Sequence, residues 1–392
     1  MKKLLSLAIF SVLSCAFGYS QVTPNPSRPA GNQTVPQREA PSFDLAEFGI
    51  SFHIEPRLII MMAALEATAF DATPASTEPS VFRAQVRKDL ADLDPDLRTR
   101  MRSFYERNKL PAPATAADQA ARYVSLAFAL GPPPTLEAPA RSEELPTSLL
   151  EVLDFAPLVQ EFYRKSSLQE RIPTYTRAYQ AEGDRLRKPT AEVVRDVLSY
   201  LHTRPVTVTL ERVVTRAPTA GKKKNAPQTY TTRENLRRFF VVPDLLGAPG
   251  AINFRVIGDD YYAVLPEGTD PAASELRRGY LQYVIDPLLV RFNREIAARR
   301  EPIKQLLTAR EKAGATVSPD VFITVSRSFV AAADARFEEV ARLEKLSRDT
   351  RPRLAAAKDD ATRQAISKEF QAMSAAIQDE SVERLAEQYE RG

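Results

Sequence analysis

The sequence predicts an α+β protein, predominantly α-helical, with a small antiparallel sheet made of two hairpins. Three observations predict it. Between about residues 80 and 204 apolar residues recur at helical spacing between prolines. From 206 to 265 they alternate with polar residues, the period of a half-buried strand. The third observation is compositional: 30 prolines stand against 13 glycines. That balance suits helices joined by proline-marked connections, and argues against a glycine-rich phosphate-binding fold or a sandwich of many tight turns. With 44% hydrophobic and 27% charged residues in 392, a sizeable core can form.

At the N-terminus, Lys2 and Lys3 precede an apolar run from Leu4 to Phe17, and Gly18 and Ser20 lie three and one residues before Gln21. This is the pattern of a signal peptide over residues 1–20. The run is shorter than the roughly 20 residues of a membrane-spanning helix. Val12-Leu13-Ser14-Cys15 resembles a lipoprotein signal loosely, so lipid anchoring at Cys15 is the lesser alternative. Cleavage after Ser20 removes Lys2, Lys3 and the only cysteine, leaving 52 basic and 50 acidic side chains. The expected product is exported to the periplasm or beyond, has no disulfide and contains no membrane span. Residues 21–42 are rich in proline and polar residues and read as a disordered tether.

The body is expected over 43–346. Ile50, Phe52 and Ile54 alternate as a strand ended by Pro56, and Arg57 to Phe70 reads as an apolar helix. Helices follow at 81–92, 95–109, 115–129, 145–165, 167–185 and 189–203, with Pro95 and Pro189 suited to first turns. Val206, Val208 and Leu210 open a strand that pairs, across Lys222, Lys223 and Lys224, with a second running from Thr229 to Val242. A second hairpin joins 252–257 to 261–265 through Gly258-Asp259-Asp260, a simple turn. Asp270-Pro271 starts a helix to about Arg300, bent at Pro287. Ser318 to Leu346 is helical and broken by Arg351-Pro352. Residues 347–392 form a C-terminal amphipathic helix, or a short helical hairpin, with Ile366, Phe370, Met373 and Ile377 as its apolar stripe.

Counting limits the chemistry. Two histidines, His53 and His202, cannot make a three-histidine metal centre, and no Gly-x-Ser-x-Gly turn exists. His53 reads as a solvent-side or hydrogen-bonded residue and His202 as a helix end. The one conspicuous cationic cluster, Lys222 to Lys224, reads as a solvated loop tip, so no nucleic-acid partner is expected.

The order of the pieces carries a resemblance. An early strand and apolar helix lead to a helical stretch, two hairpins, a helix bearing Tyr280–Leu289 with Asp286-Pro287, and a later helix with Ser328–Ala333. Over roughly residues 48 to 340 this layout resembles that of secreted gluzincin-type zinc metallopeptidases and their bacterial relatives. The resemblance implies a zincin-like arrangement, with a sheet edge strand beside a helix that carries His-Glu-x-x-His. The motif needs two histidines four residues apart to face one zinc, and a glutamate to activate water. Counted from Asp286-Pro287, its positions fall on Arg278-Gly279-Tyr280-Leu281-Gln282. Arg278 stands for the first histidine, Gly279 for the glutamate and Gln282 for the second histidine, while Arg327 stands near the third ligand. Cations there oppose a metal, so the resemblance implies a copy without cofactor or catalysis. The rival reading of this helix is a plain core element.

Tyr261, Tyr262, Tyr280 and Tyr283 are expected to line a cleft, with Arg278 and Gln282 as donors, suited to a peptide or glycan. The leading expectation is therefore an exported, pseudo-peptidase-like protein that binds a peptide, protein or envelope component. A helical scaffold or chaperone-like envelope protein is the alternative, and an enzyme of unrecognised chemistry stays open as a third.

Overall fold

The computed structural model describes residues 44–68, 70–73, 78–142, 145–215, 229–272, 274–314, 318 and 320–391. The expected signal peptide with Cys15, the tether at 21–42, and Lys222 to Lys224 lie outside them. The compact unit runs from Phe43.

The chain enters through β1 (Ile50–Phe52) and turns into α1 (Pro56–Glu66), with Pro56 in the first turn and the Glu55 carboxylate capping the Arg57 amide. Leu58 to Leu65 are fully buried, so this helix is apolar all round because the body is built around it. Around it lie α2 (Val81–Asp89), α3 (Pro95–Arg107), α4 (Ala116–Ala129), α5 (Thr147–Leu150) and α6 (Ala156–Lys165). Asp94 caps α3 ahead of Pro95, and Thr115 with Asp118 forms a capping box on α4. The expected helix at 145–165 is thus divided, with a 3₁₀ turn at Leu153–Phe155 between α5 and α6.

Residues 167–203 are one helix rather than two, α7 (Leu168–Leu201), which contains both Pro173 and Pro189. Packing overrides the local penalty of proline here. Leu186 and Val193 on either side of Pro189 are buried in the core that also holds Phe239 and Val241 of the sheet, and Tyr175 and Tyr179 beyond Pro173 are buried edge-on to Phe82 of α2.

Among the described residues six strands make two sheets. β2 (Val208–Thr215) and β3 (Thr229–Leu236) pair antiparallel as a separate two-stranded ribbon. β4 (Phe239–Asp244), β5 (Asn253–Ile257) and β6 (Asp260–Pro266) join β1 in a four-stranded sheet of order β1-β4-β6-β5. β1 is parallel to β4 and β4 to β6, and only β5 runs antiparallel. The expected single sheet of two hairpins is therefore corrected: both hairpins exist, but they lie in different sheets, and the larger sheet is mixed. The expected strand from Thr229 to Val242 breaks at Arg237, whose guanidinium turns inward to the Val206 carbonyl (2.7 Å) and the Tyr283 carbonyl (3.1 Å).

Alternate residues of β4 serve two cores. Phe240 and Val242 face the α1–α6 side, whereas Phe239 and Val241 face the far half of α7 and the helices that follow. A strand buried on both faces sits between helical layers.

Beyond the sheet come α8 (Ser274–Arg291), α9 (Asn293–Ala298), α10 (Arg300–Lys312), α11 (Val321–Ala356) and α12 (Asp360–Arg391). The helix expected at 271–300 is shorter at both ends, and α11 runs through Pro352. The C-terminal stretch is a helical hairpin. Glu338 pairs with Arg384, Arg342 with Glu380 (2.7 Å) and Arg353 with Glu369 (2.7 Å), so one index falls as the other rises and the helices are antiparallel. Their seam sets Leu343, Leu346, Thr350 and Leu354 toward Ile366, Phe370, Ser374 and Ile377. Met373, expected in that stripe, is exposed, because the seam's alternating 3–4 spacing passes through Ser374. Among the described residues no helix is long and apolar enough to cross a membrane.

Candidate functional site

The four tyrosines do not line one cleft. Tyr261 and Tyr262 are neighbours on β6, so they point to opposite faces of the sheet. Tyr262 stacks on Phe240 (ring centroids 4.9 Å) and meets Phe128 at a tilt, toward the α1–α6 core. Tyr261 meets Tyr283 on the α8 side (5.3 Å), and Tyr280 and Tyr283 stack at 5.8 Å. Tyr280 and Tyr283 are fully buried, and their hydroxyls donate to the carbonyls of Phe48 (3.2 Å) and Arg237 (2.9 Å). Burial pushes the Tyr283 hydroxyl up to about 12 and raises those of Tyr280 and Tyr261 further. These three rings are core, satisfied and neutral.

The motif positions are also engaged. The Arg278 Nε donates to Asp334 Oδ2 (2.6 Å), and the Nε of Arg277 donates to Asp334 Oδ1 (2.6 Å). Asp334 lies on α11 and its side chain is 1% exposed. Arg277 also reaches Glu338 (2.9 Å), which accepts from Arg384 of α12. The ion pairs thus run without interruption from α8 through α11 to α12. A carboxylate this buried is tolerated because two guanidiniums meet it with directed hydrogen bonds.

Gly279 lies beneath the sheet's antiparallel edge strand. A Cβ built there would stand 2.2 Å from Cε1 of Phe254 on β5, so only glycine lets α8 approach this closely. The strand at 261–265 (β6) does pack on α8, through Tyr261 on Asp286 and Tyr283, but it is interior to the sheet; the edge strand β5 reaches Gly279 only through the Phe254 ring. Gln282 is half-buried. Arg327 is exposed and takes no part in the Asp334 cluster; α11 presents Asp334 to Arg278 instead.

One turn further along α8, Asp286 closes a second link. Its carboxylate accepts from the hydroxyl of Tyr261 and from Ser326 Oγ (2.5 Å), tying sheet, α8 and α11 together. Nothing in the sequence marked Arg277, Ser326 or Asp334, ordinary polar residues in a chain with 50 acidic side chains, and Asp286 stood out only as the residue before Pro287.

Other ionisable groups have structural partners. His53 Nε2 lies 3.4 Å from Glu55, its ring beside Phe240, and His202 is the exposed left-handed cap of α7. Burial alone would raise the Glu55 carboxyl, but hydrogen bonds from Arg57 and His53 bring it down to about 2. Asp260 pairs with Arg238 (2.7 Å). On the opposite side of the sheet, Arg83 bonds Glu66 and the carbonyls of Leu246 (2.7 Å) and Gly247 (2.9 Å). Asp244 lies nearby, accepting from the Leu246 amide (3.0 Å), and burial holds its carboxyl up at about 6.

Among the described residues no three His, Cys, Asp or Glu side chains are grouped to hold a metal ion. The motif positions do not fit zinc: one carries a fixed cation, one has no side chain, and Gln282 is a neutral amide. A cavity of about 400 Å³ lies elsewhere, lined by Ile296, Ala297 and Arg300 and by Asp320, Val321 and Phe322. Comparison with protein-family models, with curated proteins and with solved structures returns no match.

Proposed function

We propose that this is an exported, non-catalytic binding protein whose body descends from a metallopeptidase-like frame. One observation carries the reading. Arg278, at the position of the first histidine, is bonded to Asp334 on the later helix from which such peptidases draw their third ligand. A metal would join those two helices in a peptidase; here Arg277, Arg278 and Asp334 join them. The edge-strand contact of Gly279 with Phe254 supports the same ancestry, since the resemblance sets an edge strand beside the motif helix. Export rests on the sequence of residues 1–20. Zinc measured on the purified chain lacking those residues is expected far below one per molecule. Stoichiometric zinc would overturn the reading.

The α11–α12 hairpin favours a second reading, a scaffold or chaperone-like protein that captures a protein partner. Beyond Glu339 the hairpin is a two-helix arm reaching roughly 25 Å, at about 1.5 Å per residue. It has one thin seam and exposed outer faces. Replacing residues 348–374 by a short glycine-rich turn keeps the Arg342–Glu380 and Glu338–Arg384 pairs. On the scaffold reading this shortened chain melts as before but no longer retains partners in envelope pull-downs. Unchanged retention would remove the arm from consideration.

A further inference from the structure

The cavity between α9–α10 and α11 follows from how two helices end. α8 and α11 run antiparallel, since Arg278 bonds Asp334 and Ser326 bonds Asp286. One turn further the same register sets Val290 level with Phe322. There α8 stops, at a turn in which the Phe292 amide bonds the Leu289 carbonyl (2.9 Å). The chain resumes as α9 and α10, whose Ile296, Ala297 and Arg300 face Val321, Phe322 and their cap Asp320 across a space of about 400 Å³. All six residues lie within the described chain. The walls are apolar: Ile296 and Val321 are buried, while Phe322 is 39% and Val290 71% exposed.

Two opposite charges share this space without meeting. Elsewhere on these helices arginines reach carboxylates: Arg277 and Arg278 share Asp334, Arg342 pairs with Glu380 and Arg353 with Glu369. The Arg300 guanidinium bonds no described residue, Asp320 included. Asp320 spends one oxygen, Oδ1, on the amides of Phe322 (2.8 Å) and Ile323 (3.1 Å), and its Oδ2 bonds no described residue. The cavity therefore offers a free cation, a free carboxylate oxygen and an apolar wall. A ligand with a single charge would set it near a group of like sign, whereas a zwitterion satisfies both. A guanidinium takes a carboxylate in two parallel hydrogen bonds, and a carboxylate oxygen accepts from an ammonium. At roughly 30 Å³ per water-sized group the space holds about 13 non-hydrogen atoms, the size of an apolar amino acid or dipeptide.

We propose that this cavity binds a small apolar zwitterion, an amino acid or dipeptide, with its carboxylate on Arg300, its ammonium on Asp320 and its side chain against Ile296, Val321 and Phe322. This stands on the cavity and is independent of the ancestry argued above. The test is isothermal titration calorimetry of the purified chain with leucine and with Leu-Leu. At least one is expected to bind with a Kd below about 1 mM, and the tighter of the two names the source. N-acetyl-leucine and leucinamide, each lacking one charge, are expected to bind about tenfold more weakly or worse, as loss of a hydrogen bond to a charged group requires. Arg300→Gln and Asp320→Asn should each weaken the zwitterion by about the same factor. Arg300 is exposed and asparagine still caps a helix, so both variants should melt as the parent does. The proposal is overturned if neither zwitterion binds below about 10 mM, if the singly charged compounds bind as tightly, or if both variants bind like the parent.

Discussion

Removing the carboxylate of Asp334 should release the crossing of α8 and α11. Its side chain is 1% exposed and accepts from two guanidiniums, one belonging to Arg277 at 10% exposure and the other to Arg278 at 40%. Loss of one partner of a buried ion pair costs about 3–5 kcal/mol, because the charge left behind is neither solvated nor paired. Arg277 keeps Glu338 at 2.9 Å and Arg278 can turn to water, so Asp334→Ala belongs at the lower end, about 3 kcal/mol. Equilibrium unfolding in urea followed by circular dichroism reads this directly. With a slope of about 3 kcal/mol/M the midpoint falls by about 1 M. Replacing the cluster with Met at 277 and 278 and Leu at 334 should recover most of the loss, since well-packed apolar groups substitute for a buried ion pair. A midpoint for Asp334→Ala within 0.2 M of the parent would refute the reasoning. So would recovery of that variant by added zinc, because it would make the crossing a metal site after all.

Two further outcomes follow from the same geometry. Gly279→Ala forces the Phe254 ring aside and should cost about 1–3 kcal/mol by overpacking, largely relieved by Phe254→Leu in the same chain; a neutral Gly279→Ala would show that β5 yields freely. Asp244 gives a pH dependence of defined sign. Burial raises its carboxyl from 3.8 to about 6, so the folded chain holds that proton more tightly than the unfolded one. Its contribution is complete below pH 3.8 and is lost as pH rises through about 6. About two pH units correspond to about 3 kcal/mol. Asp244→Asn should therefore gain on the parent between pH 4 and pH 8 in urea midpoint, and parallel pH profiles would contradict the assignment.

Much of the architecture was legible wherever one face of an element meets water. The helix start at Asp94-Pro95, the helices α2 to α4 and both hairpins follow from side chains that act within a few residues of one another. The strand period also separates Tyr261 from Tyr262, and applied at that point it would have ruled out a shared cleft. Elements buried on both sides were harder to read. Phe239 to Val242 has no polar alternation, so its membership in a mixed sheet beside β1, nearly 190 residues earlier, left no local trace.

Composition and spacing settle what is within reach of short-range physics: a mostly helical chain, poor in histidine and cysteine, with two hairpins and a basic stretch of sequence at 216–228. The tertiary structure decides which of these residues meet. Arg278 finds Asp334 across 56 positions, Tyr280 and Tyr283 become core, and Leu210 and Leu236 are held toward solvent by an anchor at Arg237. Such pairings are chosen by the packing of whole layers against one another, and a hydrogen bond between distant residues imposes no period on the chain between them.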